Sequence, residues 1–278
     1  MSTANSLRCR GCRSFRSRIV CSILSGKTLF IRDIRSDSEA PGLVDFEASF
    51  LRLIEKLMDG CSVQINEIGT VLKFKPGIIT GGRISHDCGT SRSIGWFIEG
   101  IIPLVVFAKF PVILNMTGIT NDALDISVDI LRNVTFPLMR NFGIEGMAID
   151  VKRRGAAPNG GGIVEFRAPI VRELKPLNVV DTGLVKRIRG IAFCAKISPT
   201  IVTRVVDSAR GVLNDYLPDV YINTDHYRGK DSGDSAGYSL ALFAGDDTAV
   251  CTIAHLLGWG LSDVLLWCVS EVVTYVYL

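Results

Sequence analysis

"RRGAAPNGGG", Arg153 to Gly162, lies between two stretches of alternating apolar residues, "EGMAIDVKRR" and "GIVEFRAP". Alternation of this kind marks half-buried strands, so the segment reads as the connection of a β-hairpin. Pro158 fixes φ, and Gly160, Gly161 and Gly162 tolerate positive φ, which suits a long ordered turn. Glycine amides flanked by the Arg153 and Arg154 side chains are also chemistry that holds an anion. The segment is not a P-loop, because it lacks the Gly-Lys-Ser/Thr ending and no helix follows it. Local chemistry favours the turn and leaves the anion site open.

Outward from this hairpin, the chain repeats itself. Phe15 to Leu24 has the apolar spacing of a short helix, "TLFIRDI" reads as a strand, and a second helix follows Pro41. Leu43, Phe46, Phe50, Leu53 and Leu57 share one face of that helix, and Gly60 closes it. "CSVQINEI" and "VLKFKPG" then form a hairpin about "GT". The same order returns in "SRSIGWFIEGIIPLVVFA" (helix), "PVILNMTG" (strand), "SVDILRNVTFPLMRNFG" (helix) and the hairpin around residue 158. Helix, strand, helix, strand, strand thus occurs twice, at a period of roughly 80 residues, which is an internal duplication. Each unit is expected to lay two helices on one face of a small sheet, the helices of both units packing into one core.

Beyond the duplication, a strand around Ile191 to Ile197, a helix from Thr200 to Leu217, a strand after Pro218 and the strand "GYSLALFAG" describe a separate small α/β module. The expected class is therefore α/β (α+β). The expected segments are repeat units over 1–80 and 81–178, an inserted module over 179–245 and an apolar tail over 246–278. Asp263 and Glu271 interrupt the tail, so it offers no clean span of about 18 residues and reads as a buried or partner-covered segment, not a membrane anchor.

The 278 residues are 47% hydrophobic and 21% charged, with a net charge of +3, which excludes a disordered chain and does not identify a nucleic-acid binder. Charge is nevertheless uneven: Arg8, Arg10, Arg13, Arg16 and Arg18 crowd one stretch, and Lys186, Arg187 and Arg189 another. Both patches are compatible with ordinary solvated surface. Eight scattered cysteines without a signal peptide read as reduced thiols. "CRGC", Cys9 to Cys12, has metal-like spacing but no second pair or nearby His to complete a site, so no metal or cofactor is expected. The Arg- and Ser-rich start is compatible with a mitochondrial presequence, although its smooth continuation into a helix and strand argues against removal.

His86 and His226 fall at expected strand or loop edges with no evident acid partner, and read as surface or capping residues. Asp122, Asp125 and Asp129 could hold a hard cation. They also sit at a helix start, where acids cap free amides, and capping is preferred.

Arg154, Gly155, Pro158 and Gly160 to Gly162 match the R-G-x-x-P-x-G-G-G signature of RNA 3'-terminal phosphate cyclases and their cyclase-like relatives. "TGITNDALDISVDILRNVTFPLMRNFGI" and "SPTIVTRVVDSARGVLNDYLPDVYINTDH" resemble the same family, from about Ser6 to Ala244. "LSGKTLFIRDIRSDSEAPGLVDFEASFLRLIEKL", "HDCGTSRSIGW" and "LKPLNVVDTGLVKRIRG" resemble its eukaryotic cyclase-like branch, which acts in ribosome assembly. The resemblance implies repeated units sharing a core with a smaller inserted domain. It also implies a nuclear, nucleolar role in the small-subunit processome, with snoRNA, precursor rRNA and a ribosome-assembly GTPase as partners.

Departures from the family pattern bear on catalysis. Where cyclases carry Glu-Gly-Gly-Gly-Gln before an Arg, this chain reads "RGCRSFR" and keeps only Arg16. The cyclase nucleophile is a C-terminal His that accepts AMP; here His255 stands in "TIAHLLGWG", which does not match that context. The implied function is a non-catalytic assembly factor, with no catalytic residue assigned. Arg16, Arg153, Arg154, Gly160, Gly161 and Gly162 are the candidate anion- or RNA-binding set. The alternative is an RNA-processing enzyme, either an endonuclease on precursor rRNA or an ATP-dependent cyclase. The family's third repeat is not recognised after residue 245, so the C-terminal repeat is expected to be missing, with an alternative or truncated C-terminus in its place.

Overall fold

The structure, a computed structural model, describes residues 6–178, 185–227, 229–245 and 250–257. The expected boundary at 178/179 and most of the apolar tail lie outside these residues.

The first unit runs β1 (Ser6–Arg10), α1 (Phe15–Ser25), β2 (Thr28–Arg32), α2 (Asp45–Leu57), β3 (Met58–Asp59), β4 (Ser62–Ile65), β5 (Leu72–Lys75) and β6 (Ile78–Ile79). Its sheet is ordered β1-β2-β5-β4, with β1 parallel to β2 and the rest antiparallel. The second unit runs β7 (Gly82–Asp87), α3 (Ile94–Val105), β8 (Val112–Gly118), a helical stretch from Val128 to Arg140, β9 (Ala148–Arg153) and β10 (Gly162–Ala168). Its sheet is ordered β7-β8-β10-β9, again with one parallel edge pair. Both units therefore place their strands in the order first, second, fourth, third.

Two expectations need correction. Each unit opens with a strand that the periodicity did not show, β1 and β7, so the repeated motif is β-α-β-α-β-β. The helix expected across 127–143 is broken into α4 (Val128–Ile130), a π-helical turn (Leu131–Thr135) and α5 (Phe136–Arg140). Phe136 N–H bonds to the Leu131 carbonyl, five residues back. Pro137 follows with no amide to donate and a ring that crowds the carbonyl four residues earlier, and the wider turn relieves that crowding.

Alternation turns one face of each sheet inward. Leu29, Ile31, Leu72 and Phe74 of the first sheet and Val112, Leu114, Met116, Val164 and Phe166 of the second are buried in one continuous core, together with Phe50, Leu53 and Ile54 of α2 and Phe97, Ile98 and Ile101 of α3. Trp96 and Phe97 meet edge to face at 5.0 Å, and Phe50 closes on Trp96 at 5.6 Å, so rings from both units interlock.

The third unit consists of β11 (Arg187–Ala195), α6 (Pro199–Leu213), β12 (Val220–Tyr227), β13 (Gly237–Gly245) and β14 (Val250–Leu257). Its sheet is ordered β12-β11-β13-β14. Val202, Val205, Val206, Ala209 and Leu213 bury one face of α6 on Ile188, Ala192, Ile222, Leu240 and Leu242. On the other face of the sheet, Ala241 packs on Ile130 and Val134, joining this unit to the second.

Candidate functional site

The signature segment closes the β9–β10 hairpin and at the same time clasps the third unit. Gly155 N–H donates to Thr120 Oγ1 at 3.2 Å, and Thr120 N–H returns to the Gly155 carbonyl at 2.8 Å. From the third unit, Asp234 N–H donates to the Gly160 carbonyl at 3.0 Å, while Asn159 N–H donates to Ser235 Oγ at 3.0 Å. Gly160 and Gly161 take φ of +68° and +74°. A Cβ on Gly160 would come within 2.9 Å of the Gly118 backbone, and one on Gly161 within 2.2 Å of the Asp234 carboxylate. Glycine is required here by both backbone conformation and close approach. Gly162 is the first residue of β10, paired with Gly118.

Arg154 is the centre of the clasp, with only 2% of its surface exposed. Its two terminal nitrogens bind the Asp129 carboxylate in a fork, at 2.7 and 2.8 Å, and Nη2 also reaches Asp225 Oδ2 at 3.1 Å. Asn121 Oδ1 accepts from Nη1 at 3.3 Å, and the guanidinium lies 5.0 Å over the Phe193 ring. Burial works to lower the Arg154 pKa, but the charges of Asp129 and Asp225 outweigh it and the guanidinium is held charged. Three elements are tied at this one group: the hairpin, α4 through Asp129 and β12 through Asp225. Burial, with Asp225 next, pushes the neighbouring Tyr227 hydroxyl upward.

The candidate binding residues do not form one site. Arg154 spends its terminal donors on carboxylates, so its assignment as an anion ligand is corrected to a structural cation. Arg153 is part-exposed, and its Nε donates to the Gly161 carbonyl within the hairpin. Arg16 sits elsewhere, on α1 where it meets α3. Its guanidinium lies 4.4 Å over the Trp96 ring, donates to the Trp96 carbonyl and pairs with Glu99 at 2.9 Å. The spacing of Arg154 to Asp129 and Asp225, 25 and 71 residues, carries no sequence signal for the constellation. Asp225 was visible only as part of a stretch that resembles the family.

The three acids near residue 125 are divided among separate tasks. Asp122 accepts the amides of Leu124 and Asp125. Asp125 accepts Ser93 N–H at the start of α3 and faces Arg92 at 3.4 Å, with burial raising its pKa. The side-chain cap of α4 is Ser127, while Asp129 serves Arg154. Among the described residues no group of three His, Cys, Asp or Glu side chains is arranged to hold a metal ion. Cys9 and Cys12 pack against the core of the first two units.

Of the histidines, His86 departs from the expected surface position and His226 keeps it. His86 is buried in β7 against Phe97, with Nε2 3.1 Å from Ser49 Oγ and no partner for Nδ1. His226 is exposed on β12, its Nδ1 3.1 Å from Cys194 Sγ. His255 lies on β14, in register with Ala241.

A duplicated β-α-β-α-β-β unit, clasped to a third α/β unit through a Gly-rich hairpin and a buried arginine, defines a repeat-built α+β class of protein. The family model described as RNA 3'-terminal phosphate cyclase matches residues 7–273, reaching well past residue 245, where the sequence resemblance fades. The chain belongs to the RNA 3'-terminal phosphate cyclase family. It is 49% identical over 253 residues to a probable RNA 3'-terminal phosphate cyclase-like protein of Dictyostelium discoideum, which covers 90% of this chain and 68% of the relative. It is 46% identical over 243 residues to the human RNA 3'-terminal phosphate cyclase-like protein, covering 87% of this chain and 65% of the relative. An rRNA processing protein of Schizosaccharomyces pombe is 44% identical over 247 residues, covering 88% of this chain and 68% of the relative. The chain thus spans about two thirds of the length of these relatives.

Proposed function

We propose that the chain acts in rRNA processing, as a non-catalytic factor of the small-subunit processome that binds precursor rRNA and a ribosome-assembly GTPase in the nucleolus. The names of its relatives, cyclase-like in one set and rRNA processing in another, support the process. The observation that carries the non-catalytic part is the departure from the cyclase pattern at residues 10–16, "RGCRSFR", where only Arg16 is kept. The family's signature arginine is buried between Asp129 and Asp225, so the signature acts as an architectural clasp that presents surfaces to partners.

Affinity purification of the tagged chain from cells, followed by identification of the accompanying proteins and RNAs, tests this reading. Recovery of the GTPase with precursor rRNA is the expected result; recovery of chaperones alone would sink it. Transfer of label from ATP onto the pure protein, or cleavage of naked precursor rRNA abolished by a point substitution, would replace it with an enzymatic function.

A further inference from the structure

The duplication supplies an internal comparison: two sheets of the same strand order, each with one face in the shared core and the other turned outward. On the first sheet the outward positions include Arg8 and Arg10 of β1, Phe30 and Arg32 of β2, Lys73 and Lys75 of β5, and Ser62 and Gln64 of β4. The pairing register aligns Arg8, Phe30, Lys73 and Gln64 in one row across the four strands, with Arg10 beside Arg32 in the next. All five cations are exposed, Phe30 is half-exposed among them, and no strand position on this face is acidic.

The outward face of the second sheet is balanced in charge. Asp87, Asp150 and Glu165 stand among Arg83, Lys152 and Arg167, and Glu165 is locked to Lys152 and Arg167 at 2.5 Å each. Hydrogen bonds from Lys152 and then Arg167 hold the Glu165 carboxyl well below the usual carboxylate range. One copy of the fold has neutralised its open face, and the other has kept it cationic around a ring.

From this contrast we infer that the outward face of the first sheet is a docking surface for single-stranded RNA. The inference rests on the proposed role in rRNA processing and names the surface that role would use. Neighbouring strands stand about 4.8 Å apart and alternate residues about 7 Å apart, so the five cations form a two-dimensional array along which a flexible polyanion can run. Phe30 supplies what a plain anion site does not need. The Arg32 guanidinium lies 4.6 Å over its ring, and both are planar groups of the kind on which a base stacks. One acid stands at the margin: Asp33 pairs with Arg10 at 3.2 Å, both side chains largely exposed, an ion pair weak enough for a phosphate to replace. An acidic protein segment would satisfy the cations and leave the Phe30 ring unused, which is why RNA is the occupant assigned.

The test is fluorescence anisotropy with a labelled single-stranded RNA of mixed sequence, about 15 nucleotides long, titrated into the whole chain over a range of salt concentrations. The proteins compared are the unsubstituted chain, Lys73→Gln/Lys75→Gln, Phe30→Leu and, on the second sheet, Arg83→Gln. All four positions are exposed or half-exposed, and a thermal melt of each variant confirms folding. Removing the two lysines is expected to flatten the dependence of log affinity on log salt by about 1.4, at about 0.7 per phosphate contact on a single strand. Phe30→Leu is expected to weaken binding about tenfold with an unchanged slope. Arg83→Gln should change neither.

The inference is overturned by any of three results: no binding by the unsubstituted chain at low salt, wild-type affinity and slope in the lysine variant, or no effect of Phe30→Leu. Displacement of the RNA by polyglutamate at equal charge, with Phe30 irrelevant, would assign the face to an acidic protein instead. These outcomes are separable from failure of the functional reading. A chain that recovers precursor rRNA from cells but binds RNA independently of Phe30, Lys73 and Lys75 loses only this surface. A chain that binds RNA through the face in vitro and recovers no assembly particle loses only the cellular role.

Discussion

His86 illustrates how far a single residue can depart from its sequence reading. Taken alone it was an edge histidine; the missed strand β7 turns it inward, against Phe97. Burial first, and then the charge of Lys56, lower its pKa to about 4, with Asp87 opposing and Arg52 adding to the shift. An unfolded histidine titrates near 6.5. Between those values the unfolded chain binds a proton that the folded chain refuses. The associated stability is therefore fully present above about pH 6.5 and is lost as pH falls toward the folded value. His86→Asn removes this titration. Its unfolding midpoint should fall less steeply than that of the unsubstituted chain between about pH 6.5 and pH 4.5; parallel pH profiles would refute the assignment. Arg16 departs in a similar way, since the sequence grouped it with four surface arginines and the fold lays it on Trp96.

At the scale of elements, legibility followed length and periodicity. α2 and α6 were readable because each repeats an apolar stripe over three or more turns, and α3 because it is apolar almost throughout its length. β1 and β7 were not, because an edge strand of five or six residues offers only two or three inward positions: Leu7 and Cys9 in one, Ile84 and His86 in the other. The glycine-rich hairpin was readable as a turn from its composition. Its second role, as a docking element for residues 233–235, was not, since that partner lies more than 70 residues away. Gly160→Ala places a side chain in the left-handed region and against the Gly118 backbone, and should cost about 1–3 kcal/mol. Gly211→Ala, on α6 with nothing within 4 Å of the added Cβ, should stabilise by up to about 1 kcal/mol. Denaturant midpoints of opposite sign are the expected outcome, and a neutral Gly160→Ala would remove the argument for close approach.

For the molecule as a whole, the distribution of cores sets how it comes apart. Residues 15 to 168 contribute to one apolar cluster that crosses between the first two units, so neither can open without exposing the other. The third unit has its own cluster, and among the described residues its joint to the second includes Ala241 on Ile130 and Val134, the hairpin amides, and the Arg154 ion pairs. The duplication and its shared core were legible from the order of elements, whereas the joint was not, because a buried charge cluster leaves no periodicity. Its energetics follow from desolvation. Arg154→Met takes the Arg154 cation away from the buried Asp129 carboxylate and should destabilise the joint by about 3–5 kcal/mol, whereas Arg154→Met combined with Asp129→Leu removes both charges and should recover much of that loss. Hydrogen exchange read by mass spectrometry locates the effect. In Arg154→Met, amides of β11, β12 and β13 should exchange faster while those of β2 and β8 keep their protection, and the double substitution should slow the third unit again. Equal acceleration across all three sheets would mean that the clasp belongs to a single cooperative core and that the third unit is no separate body.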